Sequence, residues 1–575
     1  MHTYDQNRNG RRGLGVKLSG LGDEALAHLL AYLKKQASPS ELLSTQVAKK
    51  SLPQLSCQLF IGGRDIDTGI YGYSPDTSKF LTDYEKTMEA LIRAKSGEPM
   101  ENYRDYIRGS FCIGSSEHNH LAMEAAYKAS RIFRHFPLRG RRAMMDKVRH
   151  LLHVYRDQMI DIMVSEGHAR ELAEWEYGGM CEAYAHDTLD YYHHCISKKI
   201  SDTKDGASYV IRRADGVVAV SLPSNAPCSN SVIAGFALLA GNALVIKPPI
   251  KTPLSTLFLW KEIFHKAAQA YGAPDGLINL IVGDSKLFLD EWMQSKYIND
   301  IFFFGPSDLG LEIGKKAYAC GKKPILELSG NDMMMIWKDA DLKMSAQALK
   351  DGFLGSTQIC MLPKKALIHE DIYDSFLEAF TKEVMTLKPG LPNEKGVYLS
   401  PVGKIKEFYE FLEDAISKGA TLHCGSKQIN YLGAEDKRGC FIQPTILLID
   451  TLEKALTMRC VLEENFFPML PLIKISSQSD DKDQEIFDQM IALFDNNDFG
   501  LRASVWASSE EYVTRFMDYA HNSGLLMINA RHARFSKYLG THGGVKKSGG
   551  PFGEMNYVWE KTSHAHGIYI GTKQN

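Results

Sequence analysis

The sequence predicts an α/β protein: a doubly wound, largely parallel sheet followed by a second α/β domain. Three observations carry that prediction. From about residue 210, strand-like apolar runs alternate with helical stretches, as in Gly216–Leu222, Ser229–Leu239 and Ala243–Lys247. Such βαβ alternation specifies parallel strands joined by right-handed crossovers. The strands are also nearly continuous apolar runs, the pattern of a sheet with helices on both faces. The same rhythm resumes between about 328 and 550, in Lys365–His369 and Tyr373–Val384, and 575 residues with 44% hydrophobic content suffice for two or three domains.

Residues 1–55 open the chain with an amphipathic stretch, Asp23–Lys35, whose apolar positions recur at helical spacing and suggest an appended helical extension. The charged, tyrosine-containing stretch 81–113 reads as an insertion or a docking loop, with a solvated surface element the favoured reading. From 121 to 200 the pattern is helical, and in Arg141–Arg156 apolar residues share one face while the basic side reads as solvated. A helix at 255–270, a strand at Leu277–Val282, a helix at 285–294 and a strand at Asp300–Phe304 then complete a first domain, 56–327. Its alternation is that of a nucleotide-binding domain, although no Gly-x-Gly-x-x-Gly opens any of its helices. The tail ends in a short apolar strand, Gly567–Ile570.

Sixty-seven basic and sixty-nine acidic residues leave a formal charge of -2, so no global field draws the protein to nucleic acid or anionic lipid. No signal-peptide pattern opens the chain and no apolar run approaches the roughly 20 residues of a membrane span, so a soluble, cytoplasmic protein is expected. The ten cysteines are scattered singletons without metal-ligand spacing.

Seven segments, in order, carry a resemblance: Pro223–Pro227 (PSNAP), Gly241–Pro249, Phe304–Gly310, Glu327–Asn331 (ELSGN), Gln358-Ile-Cys360, Glu463–Pro468 and Gly543–Gly549. Together they resemble the aldehyde dehydrogenase superfamily over roughly 56–572. The resemblance implies oxidation of a small aldehyde to a carboxylic acid with NAD or NADP. Cys360 would be the nucleophile, because a thiolate converts the carbonyl into a thiohemiacetal able to expel hydride. Glu327 would be the general base, and Asn225, with the Cys360 backbone N–H, would stabilise the oxyanion. Lys247 and Glu464 would hold the two ribose rings of the cofactor, Phe466 would pack near the nicotinamide, and Gly305 would begin the helix beneath the pyrophosphate or nicotinamide. The resemblance further implies a catalytic domain at 328–550 and a homodimer or homotetramer built on a hairpin at 198–216 and a strand within 551–575.

Several positions depart from the family pattern. Ile250 and Lys251 stand where NAD-preferring members carry a ribose-binding glutamate, which leans the cofactor towards NADP. Ser224 replaces a tryptophan, and Pro306 removes a phosphate-binding N–H. Thr357 and Phe467 replace glycines, adding bulk where backbone should approach ligand. The substrate entrance is expected from a helix at 171–195, the Cys360 loop and residues 530–542, with Tyr177, Tyr184, His532 and His542 as candidate lining. Two alternatives stay open at this point: transfer of the acyl group to coenzyme A, and a non-catalytic scaffold.

Overall fold

The structure, a computed structural model, describes residues 54–539, 543–551 and 553–571, so the expected helix at 23–35 lies outside it. Two seven-stranded sheets dominate. In the first, the strands lie in the order Lys323–Glu327, Asp300–Phe304, Val217–Ser221, Ala243–Lys247, Ile278–Leu280, Leu59–Ile61 and Arg64–Ile66. The first five are parallel, and the last two form an antiparallel hairpin at the edge. Strand order reverses between Val217–Ser221 and Asp300–Phe304. A crevice therefore opens beyond their carboxyl ends, where the chain continues into Pro223–Asn225 and into Gly305.

The second sheet runs Thr421–Cys424, Thr445–Ile449, Met469–Ile475, Pro363–His369, Asp332–Ile336, Arg502–Trp506 and Leu525–Ile528, parallel except at its first edge. Leu367 and Ile368, adjacent on one strand, belong to separate apolar clusters on opposite faces, so both faces are covered. A third, antiparallel sheet joins Ser197–Thr203 and Gly206–Ala214 to Ser563–Gly571, and it exposes Ile200, Tyr569 and Ile570.

Three local readings change. The stretch 81–113 contributes the helix Tyr84–Lys95 and the strand Ile107–Cys112, which lies between Leu55–Cys57 and Tyr71–Pro75 with Ile107 and Phe111 buried. The helix at 171–195 is two helices, Arg170–Ala183 and His186–Ile196. Arg141, on the side read as solvated, is buried, and its guanidinium donates to the Ala240 carbonyl at the end of the helix Pro227–Ala240. An otherwise orphaned helix-terminal carbonyl gains a charged donor there.

Candidate active site

The carboxyl end of the first sheet meets the amino end of the second. Asn225, half-buried beyond Val217–Ser221, donates its side-chain N–H to the Gln358 carbonyl at 3.0 Å. That bond ties the first sheet to the loop carrying Cys360, which enters the strand Pro363–His369. Gly355, Ser356 and Thr357 in that loop have φ of 58°, 58° and 65°, three successive left-handed residues. For the serine and the β-branched threonine the conformation costs about 1–2 kcal/mol each. It persists because its surroundings over-determine it. The Gly355 N–H donates to Tyr398 at 3.0 Å, the Ser356 hydroxyl to the Ser400 carbonyl at 2.6 Å, and the Lys364 ammonium to the Thr357 and Ile359 carbonyls at 2.7 and 2.8 Å.

Cys360 is half-buried and packs against the apolar cluster that holds Leu172, Ala226, Leu354 and Ile359, on which Trp175 and Phe535 also pack. Desolvation pushes its thiol up to about 12; the Glu464 charge adds to the rise and Lys364 opposes it. At neutral pH the resting group is therefore a thiol that needs a proton acceptor. Glu327, buried at the end of its strand, accepts from the Gly543 N–H at 3.0 Å and the Asn556 amide at 2.5 Å. Burial raises its carboxyl to about 8 against those two bonds, so it can take and release protons near neutrality. It touches Cys360 only through its charge.

Glu464 accepts from the Gly330 N–H at 2.9 Å, and its carboxyl is raised by burial, with Lys364 the chief opposing charge. The Phe466 ring lies 5.2 Å from the Lys364 ammonium. Across the crevice Lys247 is buried, and its ammonium reaches one partner among the described residues, the Pro248 carbonyl at 3.4 Å. Burial lowers it to about 8. A buried ammonium so poorly satisfied fits a ligand hydroxyl, and with Glu464 it suits a dinucleotide. Ile250 and Lys251 are exposed beside it, and the one carboxylate felt there, Asp284, already accepts from the Leu287 N–H at 2.6 Å as a helix cap. Gly305 precedes the helix Ser307–Ala319, and a Cβ there would stand 2.6 Å from the Phe303 ring.

Phe467 does not crowd the ligand side: it is fully buried between Phe408 and Phe411, at ring distances of 5.6 and 5.1 Å. The expected entrance residues also lie elsewhere. Tyr184 is in the core with its hydroxyl on the Val232 carbonyl, and buried His532 bonds Ser504 and Asp332. Tyr177 is buried against His153, and His542 lies outside the described residues. A cleft of ≈ 1020 Å³, whose lining includes none of Asn225, Glu327 and Cys360, is bounded by Trp175, Gly179, Arg531, Arg534 and Phe535, among others. Trp175 donates to the Ala533 carbonyl at 3.0 Å, and Phe535 lies so close to Gly179 that a Cβ would fall 2.2 Å from the ring. Two adjacent glycines, Gly178 and Gly179, inside a helical pattern were the legible signal of that close approach. Arg531 is paired with Asp351 and Lys537 with Asp187, whereas exposed Arg534 has no carboxylate partner among the described residues.

Residues 100–566 match the model of the aldehyde dehydrogenase family. The chain is 29% identical over 447 residues to the glutarate-semialdehyde dehydrogenase of Pseudomonas putida, covering 76% of this chain and 86% of that protein. It is 28% identical over 451 residues to the NADP(+) succinate-semialdehyde dehydrogenase of Escherichia coli, covering 77% and 87%. Among solved structures, an aldehyde dehydrogenase of Brucella melitensis biovar abortus superposes with a TM-score of 0.75 at 23% identity, covering 92% of this chain and 100% of that one. The glyceraldehyde-3-phosphate dehydrogenase of Methanocaldococcus jannaschii, complexed with NADP, superposes at 0.69 with 25% identity, covering 80% and 95%.

Proposed function

The chain belongs to the aldehyde dehydrogenase family and catalyses NAD(P)-dependent aldehyde oxidation, and from that premise we propose that Cys360 is its nucleophile. The observation that carries the proposal is the meeting of Asn225 with the Cys360 loop through the 3.0 Å bond to Gln358. Glu327 takes the thiol proton directly or through water, and the sulfur adds to the aldehyde carbonyl. The negative charge on oxygen is met by the Asn225 amide and the Cys360 N–H. Bound NAD(P) supplies the hydride acceptor. Lys247 and Glu464 would hold its ribose hydroxyls, and Phe466 would pack beside the nicotinamide. Departure of hydride from the thiohemiacetal leaves a thioester on Cys360; Glu327, once it has passed the thiol proton to solvent, draws a proton from the water that cleaves this thioester, which releases free acid and the Cys360 thiolate. The Cys360→Ser variant should produce no detectable NAD(P)H, a loss of about 10⁴-fold or more. Retained turnover, or strict dependence on coenzyme A in the parent enzyme, would overturn this reading.

NADP is the favoured cofactor, because Ile250 and Lys251 offer no carboxylate to repel a 2′-phosphate and Asp284 is held as a cap. The substrate class is an aldehyde with a carboxylate at its far end. Trp175 and Phe535 line the cleft and pack against the same apolar cluster as Cys360, and Arg534 on its wall has no carboxylate partner among the described residues; two relatives named above act on semialdehydes of dicarboxylic acids. Arg534→Ala should raise KM for succinate semialdehyde about tenfold and leave that for butanal unchanged. Equal effects on both would remove Arg534 from recognition. The exposed three-stranded sheet, with two unpaired edges, is the expected contact of a cytoplasmic homodimer or homotetramer, checked by light scattering.

A further inference from the structure

Lys364 is buried, lies four residues after the nucleophile, and has no part in the steps above. It occupies the strand Pro363–His369, in the middle of the second sheet. Its neighbour Lys365 is also buried but reaches the other way, to the Val461 carbonyl at 2.7 Å. Lys364 reaches the nucleophile loop, bonding the carbonyls of Thr357 and Ile359, which flank Gln358 and precede Cys360. Those bonds fasten the carboxyl end of the left-handed run Gly355–Thr357, where a β-branched residue at φ 65° would otherwise relax. Its ammonium also stands 5.2 Å from the Phe466 ring and within electrostatic reach of Cys360, Glu464 and Asp332; burial lowers its pKa, and those three groups, Glu464 first, oppose the fall.

We propose that Lys364 is a positioning residue for the nucleophile: it clamps the Cys360 loop through two backbone carbonyls and sets its ammonium, within electrostatic reach of the sulfur, against the carboxylates there. The charges that act on Cys360 are the carboxylates Glu464, Asp332 and Glu327, all of which disfavour a thiolate, with Lys364 opposing them from the adjoining strand and Arg502 coupled from the next strand but one. Without the Lys364 charge, the Glu464 and Asp332 carboxylates would face the thiolate with Arg502, two strands away, left to oppose them. The Ile359 and Thr357 carbonyls would be left without a donor, and the backbone N–H of Cys360 would lose its fixed direction.

The proposal rests on Cys360 as nucleophile, and its test is independent of turnover. The rate of alkylation of Cys360 by iodoacetamide is followed against pH, with the site read by peptide mass spectrometry because nine other cysteines are present. Lys364→Met should move the alkylation pKa up by about one unit or more and slow alkylation at pH 8 by about tenfold. Lys364→Arg, which keeps the charge, should recover most of the shift, whereas Lys364→Gln, which keeps a donor alone, should not. Superimposable profiles for Lys364→Arg and Lys364→Gln would overturn the proposal, and that comparison decides the matter if Lys364→Met does not fold. Failure of Cys360→Ser to abolish turnover would overturn the nucleophile assignment while leaving the alkylation result intact.

Discussion

Lys247 and Lys364 are buried lysines on strands of the two seven-stranded sheets, and they differ in what satisfies them. Lys364 gives two short bonds to the loop beside it, while Lys247 has one long contact at 3.4 Å. The difference teaches where ligand is awaited. An ammonium whose partners are all internal is part of the frame, and one left wanting is part of a binding site, because desolvation makes both states costly until bonds are formed. On the first sheet the ammonium keeps one long contact among the described residues, and on the second it is engaged by a strained loop.

The largest effect that would sharpen this contrast is on chemistry. Glu327→Gln should lower kcat by about 10²–10³ and flatten the pH profile. In the parent enzyme Glu327, raised to about 8, is mostly protonated at pH 6 and ionised at pH 9. The rate should therefore climb as pH rises through 8, and a flat parent profile would show that another group is the base. Next, Lys247→Met should raise cofactor KM about tenfold while raising the Tm of the cofactor-free protein, since it removes an unsatisfied buried charge. A fall in Tm would mean that Lys247 belongs to the frame and would break the comparison. The smallest effect concerns strain: Thr357→Gly should raise Tm by about 1–2 °C, by removing left-handed strain and a buried hydroxyl without a partner. Differential scanning fluorimetry measures both.

Much of the site was legible in the residues. Cys360, Asn225, Glu327 and Glu464 sit in ordered motifs, and the structure gathers them around one crevice. The strands Ala243–Lys247 and Asp300–Phe304 and the helices Ser285–Gln294 and Tyr373–Val384 follow the predicted bounds, because their hydrophobic periods are unbroken. Side-chain direction was not legible. Phe467 and Tyr184 read as candidates beside ligand, yet both point into packed aromatic clusters. A helical period cannot say which neighbour a face will meet.

By itself the sequence determined the α/β class and the doubly wound first domain, which rest on local periodicity, and through the resemblance of its ordered motifs it pointed to the family. Only the tertiary structure decided that Lys364 bonds the nucleophile loop, that Lys247 has one long contact among the described residues, and that Trp175 and Phe535, far apart in the chain, line one cleft. Those are matters of partners distant in the chain. Whether a buried charge is satisfied depends on which backbone carbonyls the fold brings within about 3 Å of it.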